Sequence, residues 1–317
     1  MVRGAVWFRS DLRTDDNPAL LDATNSCEEV IGIYIFSENQ WALHNESNIK
    51  HEFLLNNLNK LEKSLNELNI PLIAVNAESF KSLHVDLTSF VTQHNIGHVF
   101  WNKEFGVNEL ERDNMVSESL KKISVSSSSY HDQVIYEPGF LKTGQGKPFS
   151  VFTPYKRRWV ENFSMDFLDL KKPKAVQKFT AIKSSLSSLK FKKTHSANID
   201  LWPAGEEAAQ QCLTSFLKNK SKDYSQSRNI PMVDGTSRIS PYLALGVVSP
   251  KRCILEALKL NNFEFNSGNK GLCKWIDEIV WREFYRNIMH SFPRVSMSKP
   301  FQNYTNSIQW RHSESEL

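Results

Sequence analysis

The sequence predicts an α/β protein in which a parallel-sheet domain, about residues 1–131, precedes a mostly helical domain from 201 to 317. Short apolar runs alternate with helical patterns through the first part, the signature of parallel strands joined by crossover helices. Strand signals then fade after Leu201 and helix-opening Ser-Pro pairs replace them. The sheet is Rossmann-like in this order of elements, but no G-x-G-x-x-G follows the first strand, so a dinucleotide fingerprint is not in evidence.

In chain order, Ala5 to Phe8, Val30 to Phe36, Leu72 to Val75 and His98 to Trp101 read as buried strands, each short, rich in β-branched or aromatic residues, and bounded by polar stretches. The first strand leads through the polar loop Arg9-Ser10-Asp11-Leu12-Arg13-Thr14-Asp15-Asp16-Asn17-Pro18 into a helix. Ser47 is positioned to cap a further helix carrying Ile49, Phe53, Leu54, Leu58, Leu61, Leu65 and Leu68 at near-helical spacing. Another helix, roughly Ser79 to His94, precedes the fourth strand. From 132 to 200 the pattern weakens into a Lys- and Ser-rich connector, with Lys171-Lys172-Pro173-Lys174, Lys183-Ser184-Ser185 and Phe191-Lys192-Lys193. A solvated linker is the favoured reading over a DNA-gripping arm, since charge runs usually face water. Ser240-Pro241 and Ser249-Pro250 then open two helices, serine capping free amides and proline taking the first helical position.

Composition narrows the class. In 317 residues, 40% hydrophobic and 23% charged content leaves enough apolar surface to offset chain entropy, which excludes disorder as the main state. A net charge of +4 permits nucleic-acid binding without demonstrating it. Cys27, Cys212, Cys253 and Cys273 show neither C-x-x-C nor zinc-like spacing, which suits a reducing compartment. No run approaches the roughly 20 apolar residues of a membrane span, and the amino terminus lacks a signal peptide; a cytoplasmic location is expected. There is no P-loop, G-x-S-x-G or H-E-x-x-H, so hydrolase and kinase readings lack support.

Two constellations carry potential chemistry. Gly235-Thr236-Ser237-Arg238-Ile239-Ser240 sets hydroxyls, backbone N–H groups and a cation beside a helix start, a donor set suited to phosphate. On chemistry alone it reads more readily as a capped turn with a surface arginine. In Trp275-Ile276-Asp277-Glu278-Ile279-Val280-Trp281-Arg282-Glu283-Phe284-Tyr285-Arg286, helical spacing puts Trp275, Glu278 and Arg282 on one face with Trp281 on its flank. Indoles offer flat surfaces worth roughly 1–3 kcal/mol per stacked base, and a carboxylate between them can meet a ligand's polar edge. A core helix with a structural Glu–Arg pair accounts for the same pattern about as well.

Taken together, these residues resemble the photolyase/cryptochrome family. The resemblance runs from Trp7-Phe8-Arg9-Ser10-Asp11-Leu12-Arg13 and Asp16-Asn17-Pro18-Ala19-Leu20, through Asn108-Glu109, Val151-Phe152-Thr153-Pro154-Tyr155-Lys156, Gly235-Thr236-Ser237-Arg238 and Trp281-Arg282-Glu283-Phe284-Tyr285, to Ile308-Gln309-Trp310. Within the family the chain is most similar to the bacterial class I, folate-type enzymes that repair cyclobutane pyrimidine dimers.

The resemblance implies an antenna domain over 1–131, a linker over 132–200 and the N-terminal part of a helical FAD-binding domain over 201–317. It implies that Tyr224, Thr236, Ser237, Arg238, Ile239 and Ser240 hold the flavin nucleotide, that Trp275 lines its pocket and that Arg282 lies near it. Asn108 and Glu109 match contacts to a 5,10-methenyltetrahydrofolate antenna. Glu278, Trp281 and Arg228 match residues that meet a flipped-out dimer in UV-damaged DNA, and Trp310 matches the outermost tryptophan of an electron relay. The implied activity is light-driven dimer repair by electron transfer from reduced FAD, in a monomer without membrane contact.

Departures from the family pattern are equally specific. The inner relay tryptophans and the residues that contact the isoalloxazine and adenine belong to sequence beyond residue 317, so the chain is expected to be C-terminally truncated, with an incomplete flavin site. Ser296 and Met297 stand where close relatives carry a cysteine and a lysine at the folate. The competing readings are a cryptochrome-like photoreceptor, against which Trp281 beside Glu278 argues, and an inactive fragment.

Overall fold

The computed structural model of the chain describes residues 3–186 and 199–309. Five strands, β1 (Arg3–Phe8), β2 (Glu29–Phe36), β3 (Leu72–Asn76), β4 (His98–Asn102) and β5 (Ser126–Tyr130), form a fully parallel sheet in the order β3-β2-β1-β4-β5. The four expected strands are present. β5 adds a fifth whose serine run carries no apolar periodicity; it pairs only with β4, at the sheet edge, where little burial is demanded.

Because successive side chains point to opposite faces, each central strand feeds two cores. Ala5, Trp7, Ile31, Ile33, Val99 and Trp101 face helices α4 (Leu83–Gln93) and α5 (Val107–Lys122), meeting Leu87, Val91, Val116 and Leu120. Val6, Phe8, Val30, Tyr34 and Phe100 face the other way, onto α1 (Pro18–Ser26) and α3 (Asn48–Glu67), through Leu20, Ala23, Leu54, Leu58 and Leu65. Burial on both faces explains why these strands read as continuous apolar runs. Ser47 is the N-cap of α3, although its side chain makes no cap bond. A short helix, α2 (Glu38–Leu43), lies between β2 and α3.

The second core is continuous with the helical part of the chain. Helices α7 (Glu206–Asn219), α8 (Tyr224–Ser227), α9 (Ser240–Ala244), α10 (Pro250–Leu260) and α11 (Lys270–Ser291) share it through Leu213, Phe216, Tyr242, Ile254, Leu258, Trp275 and Ile276. Ser249 caps α10, accepting from the Arg252 N–H at 3.1 Å. Ser240 does not cap α9 as the Ser-Pro pattern suggested: Ile239 holds the cap position and the Ser240 hydroxyl is left exposed. Asn269 caps α11, accepting from Leu272 N–H at 3.0 Å.

Between 132 and 186 the chain is more than a solvated tether. It carries helix α6 (Phe152–Glu161), which buries Tyr155 and Trp159, and its Leu168, Val176 and Leu186 enter the shared core. The Lys/Ser composition hid this because few, widely spaced anchors do the packing. The Phe191-Lys192-Lys193 run falls outside the described residues.

The β1–α1 loop docks the two halves together. Arg13, only 2% exposed, pairs with Asp132 and donates to the carbonyls of Asp15, Asp16 and Gly246. Leu12 N–H donates to Leu245 O at 3.0 Å, Arg252 pairs with Asp15, and Glu206 accepts from Thr14 N–H at 2.7 Å and Asp15 N–H at 3.1 Å. Gly246 sits at φ +65 with Ser10 O 2.1 Å from where a Cβ would stand, so the close approach depends on the missing side chain. Among the described residues no helix is long and apolar enough to cross a membrane.

Candidate functional site

Helix α11 gathers most of the expected site residues. It runs 22 residues and turns Ile276, Ile279, Val280 and Phe284 into the core, which leaves Glu278 and Trp281 partly exposed. Arg228, just after α8, forms an ion pair with Glu278, and Lys274 stands 3.8 Å from the same carboxylate. The hydrogen bond to Glu278 holds the Arg228 guanidinium above its ordinary pKa. Arg228 also lies over the Tyr224 ring, 5.5 Å from its centroid. Tyr224, Phe216 and Trp275 form an aromatic run behind that pair: Phe216 meets Tyr224 edge-on at 5.6 Å and Trp275 tilted at 5.3 Å. Tyr224, Arg228, Trp275 and Glu278 are therefore one cluster. Trp275 is 2% exposed, so its contribution is as a wall within the core.

Trp281 stands among other rings. Phe152 of α6 stacks on it with centroids 3.7 Å apart, Tyr285 follows at 5.5 Å, and Phe284 meets it edge-on.

The Thr236–Ser240 loop lies after α8 and enters α9. Ile239 is its buried anchor; Thr236, Arg238 and Ser240 are exposed. Arg238 adopts φ +51 and pairs with Asp234 at 3.1 Å, while its carbonyl accepts from the Trp202 indole at 3.1 Å. Ser237 O accepts from Cys212 Sγ at 3.1 Å. The hydroxyls of Thr236 and Ser240 make no hydrogen bond among the described residues. A loop pinned from behind, with hydroxyls and a guanidinium facing outward, is chemically suited to an anionic group such as a flavin nucleotide's pyrophosphate.

Arg282 reaches α9, the helix that the loop enters. Its guanidinium donates to the carbonyls of Gln133 and Leu243 at the junction of the two halves, without a carboxylate partner among the described residues. Burial, reinforced by the like charge of Arg286, lowers its pKa to about 10. Trp310 lies outside the described residues.

A second site forms at the C-terminal ends of the strands, where the order of a doubly wound sheet reverses about β1. Arg9 pairs with Asp113 at 2.7 Å; Arg112 pairs with Glu104 at 2.9 Å and with Asp113 at 2.8 Å. Both guanidiniums lie over the Trp7 ring, at 4.4 and 4.9 Å. Burial alone would raise the Glu104 carboxyl, but Arg112 and Arg9 override it and bring it down to about 2. Beside this network opens a cleft of about 530 Å³ between the sheet domain and α11. Asn108, Glu109, Tyr34, Trp41, Met289 and Ser296 are among its lining residues, whereas Met297 is exposed elsewhere. Glu109, in the first turn of α5, folds its carboxylate over Gly106, where a Cβ would come within 2.0 Å of it. Flat rings, a carboxylate and an amide in one cleft fit a planar, polar-edged molecule such as a folate.

Residues 5–177 match the family model described as DNA photolyase. The chain belongs to the DNA photolyase family. This photolyase-family chain is 32% identical over its whole length to a deoxyribodipyrimidine photo-lyase of Escherichia coli, and 31% identical over 96% of its length to that of Vibrio cholerae. It spans 66% and 65% of those proteins. Among solved structures, a class III photolyase from Agrobacterium tumefaciens superposes with TM-score 0.86 at 26% identity, covering all of this chain and 64% of that one. A Synechocystis cryptochrome superposes with TM-score 0.79, at 19% identity over all of this chain and 67% of its own, a likeness of fold.

One residue of the photolyase motif carried no role in the sequence reading. Glu283, 4% exposed, accepts from Ile135 N–H at 2.6 Å, Tyr136 N–H at 3.1 Å, the Trp159 indole at 2.8 Å and the Tyr155 hydroxyl at 3.3 Å. Helical spacing from Ile276 and Ile279 does turn position 283 inward, so a buried carboxylate was the available signal. Its partners come from residues more than a hundred positions away.

Proposed function

We propose that this chain carries the photolyase reaction: binding UV-damaged DNA, extruding a cyclobutane pyrimidine dimer and splitting it in light with reduced FAD as electron donor. The observation that carries the reading is the partly exposed side of α11, where Glu278, paired with Arg228, and Trp281 stand one turn apart. The similarity to the deoxyribodipyrimidine photo-lyases of Escherichia coli and Vibrio cholerae supports it.

In this reading residues 1–131 form the antenna domain, 132–200 the connection and 201–317 the N-terminal part of the FAD-binding domain, acting as a cytoplasmic monomer. Thr236, Ser237, Arg238 and Ser240 hold the flavin's phosphates and ribityl chain, Ile239 anchors their loop, and Tyr224 and Trp275 wall the pocket. Arg282 contributes indirectly, bracing α11 against Gln133 and Leu243. When bound, reduced FAD supplies the light-driven electron that opens the cyclobutane ring. Asn108 and Glu109 orient a methenyltetrahydrofolate in the cleft, which supplies light absorption.

The chain's own residues do the recognition. Arg228 meets a backbone phosphate, Trp281 stacks on the extruded dimer, and Glu278 hydrogen-bonds its polar edge. Extrusion costs a few kcal/mol, least for damaged and poorly stacked bases, which favours the lesion. Trp310, outside the described residues, would take the outermost place in an electron relay.

The test is the visible spectrum of the 317-residue chain after mixing with FAD and desalting. A retained flavin band is expected, followed by dimer repair under blue light. Loss of all flavin would overturn the claim that this chain is a working enzyme.

A further inference from the structure

Helix α6 lies in the stretch that composition marks as connector, yet it meets α11 along two consecutive turns. Phe152 stacks on Trp281 at 3.7 Å with an interplanar angle of 9°. Four residues on, Lys156 pairs with Asp277 at 2.6 Å, and Asp277 is four residues before Trp281. The two helices thus share a ring stack and an ion pair one turn apart. Beneath them, Tyr155 and Trp159 of α6 reach the buried Glu283 of α11. This end of α6 is therefore fixed against α11 by a ring stack, an ion pair and buried hydrogen bonds together.

The stack has a consequence for the indole. Phe152 covers one face of Trp281 in near-parallel contact, and Phe284 packs edge-on at 5.6 Å. Tyr285, on the same helix, is 58% exposed and tilted 26° to the indole. A planar ligand has only the remaining indole surface to use, and the plane of that surface is the plane Phe152 imposes. We infer that Phe152 is a positioning residue: it sets the orientation of the Trp281 ring, so that helix α6 belongs to the lesion site. The inference rests on the reading of Trp281 as the residue that stacks on the dimer.

Removing the Phe152 ring leaves the indole free to settle into the vacated space, away from the ligand side. Leucine preserves much of the volume but not the flat face; tyrosine preserves the face. An aromatic pair of this kind corresponds to about a threefold to tenfold effect.

The experiment has two readouts on the 317-residue chain. The first is dark binding to an oligonucleotide with a single thymine dimer and to its undamaged counterpart. Phe152→Leu is expected to lower the damaged-to-undamaged affinity ratio about fivefold, Phe152→Tyr to restore it, and Phe152→Leu to add nothing in a Trp281→Ala background. The second is the Trp281 indole N–H resonance, assigned by its loss in Trp281→Phe, which is expected to shift and broaden in Phe152→Leu and to stay in place in Phe152→Tyr. If Trp281→Ala lowers the ratio and Phe152→Leu does not, the positioning role is overturned while the lesion reading stands. If Trp281→Ala changes nothing, or the chain does not prefer damaged DNA, the lesion reading fails, and the resonance alone decides whether Phe152 fixes the ring. An unchanged indole resonance in Phe152→Leu overturns the inference in either case.

Discussion

The Trp159 indole N–H donates to the Glu283 carboxylate at 2.8 Å, joining helix α6 to helix α11 inside the protein. The same carboxylate takes two backbone N–H groups of the 135–136 segment, so one side chain holds three pieces of chain in register. A buried acceptor with that many donors is costly to remove, because each donor is then left without water or partner.

Burial pushes the Glu283 carboxyl up from 4.5 to about 7, against the pull of its N–H donors. In the window between those values the folded state holds a proton that the unfolded chain releases. That stabilisation is present in full below about 4.5 and is lost as pH rises through about 7. The thermal midpoint is therefore expected to decrease on going from about pH 5 to about pH 8, and Glu283→Gln is expected to remove that part of the dependence. The glutamine also sets an amide N–H against the Ile135 or Tyr136 N–H, a cost of about 1–3 kcal/mol. Melting curves of both proteins across the range decide it; identical slopes would show that the donors keep Glu283 ionised throughout.

The docking loop makes a separate prediction. Arg13 is buried against Asp132 and three carbonyls, so Arg13→Met strands a buried carboxylate and is expected to cost about 3–5 kcal/mol in urea unfolding. Gly246→Ala forces a Cβ onto the Ser10 carbonyl at a positive φ and is expected to cost at least about 1–3 kcal/mol. An alanine variant as stable as the parent would mean that the two halves do not hold this contact in solution.

Arg228 and Glu278 are joined in one ion pair but are expected to fail differently when changed. If Arg228 meets a backbone phosphate as proposed, Arg228→Ala is expected to weaken binding to damaged and undamaged DNA alike and to lower the salt slope by about 1. Glu278→Gln is expected to weaken binding to dimer-containing DNA alone, by about 1–2 kcal/mol. Binding isotherms at several salt concentrations separate the two; equal losses on both DNAs for Glu278→Gln would place that residue outside lesion recognition.

The sequence by itself determined the sheet domain, the onset of helices and the helix that carries Glu278 and Trp281. Periodicity encodes these directly: apolar runs such as Val30 to Phe36 specify strands buried on both faces, and the spacing of Ile276, Val280 and Phe284 specifies which side of α11 is inward. The family resemblance, not periodicity, marked Tyr224 and Arg228, which the fold brings into one cluster with Trp275 and Glu278 of α11.

Only the tertiary structure decided the rest. Ser126 to Tyr130 is a strand because β4 offers it an edge, not because serines favour one. Helix α6 is structural because Tyr155 and Trp159 find Glu283, more than a hundred residues away, and no local pattern records such a pairing. The same holds for Arg282, whose helical position points toward Glu278 and Trp275 in sequence but whose guanidinium is claimed by the Gln133 and Leu243 carbonyls. Local periodicity fixes which face of an element is buried; the partner that meets that face is set by chain segments distant in sequence, through packing and hydrogen bonds that exist only once the domains have closed on each other.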